Sequence, residues 1–171
     1  MNGFLEPSKI LKQIKPKEDI AAADFGSGSG GWAIPLAKIL EEGKVYAIDI
    51  LEEPLSALRA KVKIEKLFNI ETRKANVEKG ITLLSNSCHL ILMTNLLFEC
   101  ENKKAVLEEG KRVLKPGGKI LVVDWQKDNP LTPEIEFCSI EEIKEIAEKL
   151  NLKLEKEFEA GVYHWGLIFQ K

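Results

Sequence analysis

Asp24-Phe25-Gly26-Ser27-Gly28-Ser29-Gly30 is the stretch on which the reading of this chain turns. It closes a compact apolar run, Ile20 to Phe25, and leads past Gly31 into Trp32, Leu36, Ile39 and Leu40 at helical spacing. That order predicts a strand, a glycine turn and a helix. Such a turn lets a ligand approach bare backbone, and the helix N-terminus behind it offers unpaired N–H groups. Gly26 to Gly31 also satisfies G-x-G-x-x-G, so the loop alone admits more than one class of nucleotide-bearing ligand.

Working outward, short apolar runs alternate with amphipathic patterns, the signature of an α/β sheet. Ser8 to Ile14 reads as a leading helix stopped by Pro16. Val45 to Ile50 is a second strand ending at Asp49, and Glu52 and Glu53 open a helix striped by Leu55, Leu58 and Val62 and extended by Leu67. Strands are expected at Glu71 to Ala75, Cys88 to Thr94 and Lys119 to Trp125. A helix carrying Val106, Leu107, Gly110, Val113 and Leu114 should end at Lys115-Pro116-Gly117-Gly118. Asn129 to Phe137, with Pro130 and Pro133, reads as an extended loop. Ser139-Ile140-Glu141-Glu142 is a capping box, and Leu152 to Phe158 with Tyr163 to Gln170 forms a terminal antiparallel hairpin. The expected fold is α/β, a Rossmann-like three-layer sandwich: β-α repeated five times, then the hairpin, in a mostly parallel seven-stranded sheet. No internal linker divides the chain, so residues 1–171 read as one domain with 1–16 as a helical cap segment.

Composition narrows the function. The 171 residues are 44% hydrophobic and 30% charged with net charge −2, a balance that gives no general attraction for nucleic acid or anionic membrane. No apolar run approaches a membrane span, and the N-terminus lacks the plan of a signal peptide. Cys88, Cys100 and Cys138 are odd in number and scattered, without metal-ligand spacing. Reduced thiols, a cytoplasmic location and no metal site are expected.

Two carboxylates sharpen the ligand. Asp49, ending the second strand, suits ribose hydroxyls in either a nicotinamide dinucleotide or S-adenosyl-L-methionine. Asp24 lies two residues before the first glycine, at the expected mouth of the site. It would repel a pyrophosphate, whereas it suits an ammonium and a sulfonium.

Asp24 to Gly30 resembles the first motif of class I S-adenosylmethionine-dependent methyltransferases, and Tyr46-Ala47-Ile48-Asp49-Ile50 their second-strand motif. Lys74-Ala75-Asn76-Val77-Glu78, Ile91 to Phe98, Leu114 to Gly118 and Val122-Val123-Asp124-Trp125 are similar to the later landmarks, in order, over nearly the whole chain. The likeness is greatest to the group that includes ubiquinone and menaquinone biosynthesis methyltransferases. It implies that Asp24 faces the methionine amino group, while Gly26, Ser27, Gly28 and Gly30 lend backbone to the amino-acid and ribose ends. Asp49 would hold the ribose and Ile50 pack on adenine. Asn76, where the family usually has Asp, would accept from the adenine amine, Val77 would meet adenine through its N–H, and Thr94 and Asn95 would line the methionine end. S-adenosyl-L-homocysteine would be the product.

Methyl transfer is an in-line displacement at an activated carbon, so catalysis can rest on alignment in a dry pocket. His164 and then Glu99 are the candidate bases. Asn95-Leu96-Leu97-Phe98 lacks the prolines of the nucleic-acid amino methyltransferase motif. Trp125 after the fifth strand and Tyr163, His164 and Trp165 opening the last are candidates for an aromatic cage around a cationic or planar acceptor, or else pack against helices, with alternation sending Tyr163 and Trp165 to one face and His164 to the other. Cys100 and Cys138 fall on the expected active face, and Lys9, Lys12, Lys15 and Lys17 mark a solvated helix face. A small-molecule acceptor is the first expectation and a protein acceptor the second. The other readings are a nicotinamide-dependent oxidoreductase and a non-catalytic adenosylmethionine-binding domain.

Overall fold

Residues 5–126 and 138–171 are described by the computed structural model. The chain runs α1 (Pro7–Ile14), β1 (Ala21–Phe25), α2 (Ala33–Ile39), β2 (Lys44–Asp49), α3 (Glu52–Ile64), β3 (Ile70–Lys74), β4 (Cys88–Thr94), α4 (Lys103–Val113), β5 (Leu114–Trp125), α5 (Ile140–Lys149), β6 (Lys153–Glu159) and β7 (His164–Gln170). The strands form one sheet of seven in the order β3-β2-β1-β4-β5-β7-β6. β1 to β5 are mutually parallel, while β7 runs antiparallel to both β5 and β6. This is the Rossmann-like sheet expected, with its terminal hairpin. β1 lies between β2 and β4, so the chain direction of winding reverses beside it, and the crevice for a ligand opens at the carboxyl ends of these strands.

The central strands are covered on both faces, which is why they read as continuous apolar runs. Ala22, Leu90, Leu92, Leu121 and Val123 pack with Leu11, Leu36 and Leu40 of α1 and α2 and their flank. Ala23, Phe25, Ile91, Met93, Ile120 and Val122 pack with Val106, Leu107, Ile143 and Ala147 of α4 and α5. Ser139 Oγ accepts the Glu142 N–H at 3.0 Å, so the expected cap opens α5.

Four expectations require correction. β3 is followed by a three-residue 3-10 turn, Val77–Lys79, and not by an α-helix, so the β-α unit does not repeat five times. Gly80 and Ser85-Asn86-Ser87 give that connection turn chemistry and no buried stripe. β5 begins at Leu114, not Lys119: Leu114 pairs with Cys88, the Gly117 N–H reaches Lys171 O at 2.9 Å, and the Lys171 N–H reaches Gly118 O at 3.0 Å. Lys115 to Gly118 is therefore irregular strand, with the register shifting between Cys88 and Leu90. α3 stops at Ile64, and Lys66 at φ 53° turns the chain so that Leu67 packs from outside the helix. α2 opens at Ala33 because Gly26 to Gly31 is spent on turns, including the bond from Gly30 N–H to Ser27 O at 2.9 Å. Asn129 to Phe137, read as a loop, lies outside the described residues, as does Phe4.

Candidate active site

The glycine loop is fastened to the end of β2, since the N–H groups of Gly26 and Ser27 both donate to Ile48 O, at 2.8 and 2.9 Å. Its glycines serve different ends. Gly30 has φ +91°, and a Cβ there would stand 2.4 Å from Leu58 Cδ1, so this position is closed by packing. Gly28, at φ +51°, has open space where a Cβ would be, though it is not one of the residues that line the cleft.

A cleft of about 250 Å³ opens beside the loop. Gly26, Asp49, Ile50, Asn76, Val77 and Asn95 line it, together with Glu99. Residues far apart in sequence thus meet at one carboxyl edge. Ile50 and Leu51 remain 55% and 60% exposed, an apolar platform suited to a flat ring. Leu51 was not anticipated from sequence; its only signal was its place beside Ile50 after the second strand.

The polar groups divide into two sets. The first is already satisfied. Asp49 Oδ2 accepts the Gly28 N–H at 2.8 Å and Oδ1 accepts the Leu51 N–H at 2.9 Å, so this carboxylate shapes both the loop and the platform. Each oxygen retains a lone pair for a further donor. Asn76 Oδ1 accepts the Glu78 N–H at 2.9 Å and caps the 3-10 turn, leaving its amide NH2 as the side chain's donor end. Asp124, wholly buried at the end of β5, accepts from Phe98 N–H at 3.2 Å and Trp125 N–H at 2.8 Å, and so pins the segment after β4. Burial lifts its pKa to about 6 against these bonds.

The second set is unsatisfied. Asp24 has no exposed surface and does not line the cleft, so it is not at the mouth as expected. Neither of its carboxylate oxygens has a hydrogen-bond partner. Burial, then the charge of Asp49, pushes its pKa up to about 8, and the nearby Ala33 N–H offsets part of this without reaching hydrogen-bonding geometry. Ser27 Oγ and Asn95 Oδ1 are likewise buried without partners. Asn95 holds φ 49° at the end of β4, a left-handed position that asparagine tolerates. Thr94 is buried just before it.

The candidate bases part company. Glu99 is exposed in the cleft lining. His164 is buried outside that lining, its pKa lowered to about 4 by desolvation, so it is a neutral imidazole at pH 7. Burial pushes the Cys100 thiol up to about 12 and raises that of Cys138 further, and neither is a ready nucleophile. All three cysteines are free, and no metal-binding group of His, Cys, Asp or Glu occurs among the described residues. No helix among them is long and apolar enough to cross a membrane. Lys9 pairs with Glu6, and Lys12, Lys15 and Lys17 are exposed.

This geometry coincides with a family match: the profile described as "Methyltransferase domain" covers residues 23–122. The chain belongs to the methyltransferase-domain family. The domain is 32% identical to a SAM-dependent methyltransferase from Aquifex aeolicus, with a TM-score of 0.88 over 96% of this chain and 89% of that one. A putative type 11 methyltransferase from Sulfolobus solfataricus is 26% identical, with a TM-score of 0.78 over 98% and 92% of the two chains. Among curated proteins, demethylmenaquinone methyltransferase of Shouchella clausii is 27% identical over 86% of this chain and 63% of its own length. The methyltransferase domain thus spans only part of the length of such relatives. Its fold is the class I S-adenosylmethionine-dependent one, and the dinucleotide reading finds no support in these likenesses.

Proposed function

We propose that this domain transfers a methyl group from S-adenosyl-L-methionine to a small-molecule acceptor. The observation that carries the reading is the unsatisfied set at the glycine loop. Asp24, Ser27 and Asn95 hold four buried oxygens without partners; Asn95 lines the cleft with its exposed apolar platform, and Asp24 and Ser27 flank the lining residue Gly26 in the chain. A ligand with a cationic amino-acid end and a flat apolar end complements both.

In this reading Asp24 takes the ammonium, giving up its own proton to do so, and Gly28 leaves room for the ligand beside the backbone. Asp49 uses its remaining lone pairs for ribose hydroxyls while still holding the Gly28 and Leu51 N–H groups. Ile50 and Leu51 lie against the adenine, and Asn76 and Val77 border it. When bound, the cofactor supplies a methyl group already activated by its sulfonium. The chain's part is to orient and to exclude water. Glu99 is the base candidate that the cleft retains, since His164 is a weak base where it lies. Residues 1–171 act as one unit, with the first 16 as a cap in which Ile10 and Leu11 are buried against the α2 side.

The small-molecule reading is supported by the curated relatives' name, demethylmenaquinone methyltransferase, and by a net charge of −2 that does not favour nucleic acid. Calorimetric titration with S-adenosyl-L-homocysteine and, in parallel, with NAD tests the cofactor. Saturable binding of the first alone is expected. Tight binding of NAD with none of S-adenosyl-L-homocysteine would overturn the reading.

A further inference from the structure

Buried polar atoms without partners are few in folded proteins, and each calls for a reason. Among the described residues they are Asp24 Oδ1 and Oδ2, Ser27 Oγ, Asn95 Oδ1, His89 Nδ1, Trp125 Nε1 and His164 Nε2. His89 lies near the amino end of β4, beside Lys115 Nζ at 3.2 Å, away from the cleft. The Asp24, Ser27 and Asn95 atoms belong to the proposed cofactor site. Trp125 and His164 remain.

These two rings are neighbours. Trp125 ends β5, His164 opens β7, and the two are directly paired across the strands. Their ring centroids are 4.2 Å apart with planes tilted by 36°. On the other side of β5, Val123 pairs with Thr94, so Thr94, Trp125 and His164 share one carboxyl edge over three adjacent strands. The cleft runs from the segment after β4, at Asn95, toward β3, and the ring pair lies next to that end, on β5 and β7.

The backbone around the pair is firmly held while the ring nitrogens go unused. Trp165 Nε1 donates to Trp125 O at 2.9 Å, Gln126 Nε2 to His164 O at 3.2 Å, and Ala160 N–H to His164 O at 2.9 Å. Both nitrogens are shielded from water, so solvent does not make up the deficit.

We infer that Trp125 and His164 form the recognition pair for the methyl acceptor, and that the acceptor presents a neutral, planar ring carrying oxygen. This rests on the methyltransferase reading above. Trp125 Nε1–H only donates, so it requires an acceptor atom, and a neutral imidazole nitrogen complements a hydroxyl. Asp124, the neighbouring acid among the described residues, is wholly buried and holds backbone N–H groups with both oxygens, so it offers no exposed charge to a cation. His164 is a positioning residue for the acceptor and not its base.

The test follows the three tryptophan indole N–H signals of the 15N-labelled full chain, with S-adenosyl-L-homocysteine present and 1-naphthol as probe. The Trp125 signal, identified by its loss in Trp125→Phe, should shift saturably with 1-naphthol and not with phenethylamine. His164→Phe should weaken 1-naphthol binding about tenfold, the loss of one hydrogen bond, with S-adenosyl-L-homocysteine affinity unchanged. His164→Gln, which keeps a hydrogen-bonding end, should recover most of the binding. The cofactor titration shows that each variant is folded. A Trp125 signal indifferent to 1-naphthol, or undiminished binding in His164→Phe, overturns the inference while leaving the cofactor reading intact. Failure of S-adenosyl-L-homocysteine to bind the unmodified chain overturns both.

Discussion

Replacing Asp24 by Asn should make the cofactor-free chain more stable at neutral pH and far less sensitive to pH. Asp24 is wholly buried, neither oxygen is hydrogen-bonded, and its pKa stands at about 8 against 3.8 for a free side chain. Between those values the folded chain keeps a proton that the unfolded chain has lost. Stability associated with this group is therefore present below 3.8 and is lost as pH rises through 8, with a slope of about 1.4 kcal/mol per pH unit. From pH 5 to pH 8 the loss is about 4 kcal/mol, on the order of 10 °C in Tm for a chain of this size. Asn fills the same space without titrating. The difference between the two proteins isolates this residue from Asp124 and His164, which both retain. Scanning calorimetry at pH 5, 6, 7 and 8 should show the wild-type Tm falling away from that of Asp24→Asn as pH rises. Parallel curves would refute the reasoning.

The same substitution reports on the proposed ligand. If Asp24 must ionise to meet an ammonium, binding of S-adenosyl-L-homocysteine at pH 6.5 releases about one proton, measurable as a dependence of the heat on buffer ionisation enthalpy. Asp24→Asn should release none and bind at least tenfold more weakly, since hydrogen bonds to charged groups contribute roughly 1.5–3 kcal/mol. A variant more stable alone yet poorer at binding separates function from folding at one position.

Gly30→Ala and Gly28→Ala should behave oppositely: the first destabilises by about 2–4 kcal/mol in denaturant melts, combining left-handed strain with the clash on Leu58. Gly28→Ala should cost only about 1–2 kcal/mol of strain but weaken S-adenosyl-L-homocysteine binding, because in the proposed complex its methyl enters the open space left for the ligand. Asp49→Ala removes the acceptor of the Gly28 and Leu51 N–H groups and should lower both stability, by about 1–3 kcal/mol, and ligand affinity; unchanged affinity by calorimetry would remove Asp49 from the ribose. Cys100, with its thiol pKa near 12, should react with a disulfide reagent at pH 8 far more slowly in the folded chain than in denaturant, and equal rates would contradict its burial.

The sheet was legible because strands buried on both faces appear as apolar runs whatever lies between them. Cys88 to Thr94 matched residue for residue. The misread points are those where a local signal competed with a distant partner. Pro116, Gly117 and Gly118 punctuate the sequence like a helix terminus, yet Cys88 and Lys171, far away in the chain, draw that segment into the sheet. The missing helix after β3 is of the same kind: a β-α rhythm was extrapolated over a segment whose turn residues argued against it.

At the site, residue identities were legible and their partners were not. Asp49 and Asn76 read as ligand contacts, but each first satisfies a backbone N–H of the cleft itself. Asp24 reads as a carboxylate at the mouth of the site, but its neighbours strip it of water and pair it with nothing. The contrast has a physical consequence. The side of the cleft facing Asp49, Ile50 and Asn76 is built before any ligand arrives, so binding there costs little ordering. While His89 sits near the opposite end of β4, the other groups left short of partners, Asp24, Ser27, Asn95, Trp125 and His164, lie at or just past one edge of β1, β4, β5 and β7. That is where the methyl donor's charged end and its acceptor would have to meet. Among the described residues of the crevice the unsatisfied groups keep to that line, so the stability forgone there is concentrated where the proposed donor and acceptor would both be recognised.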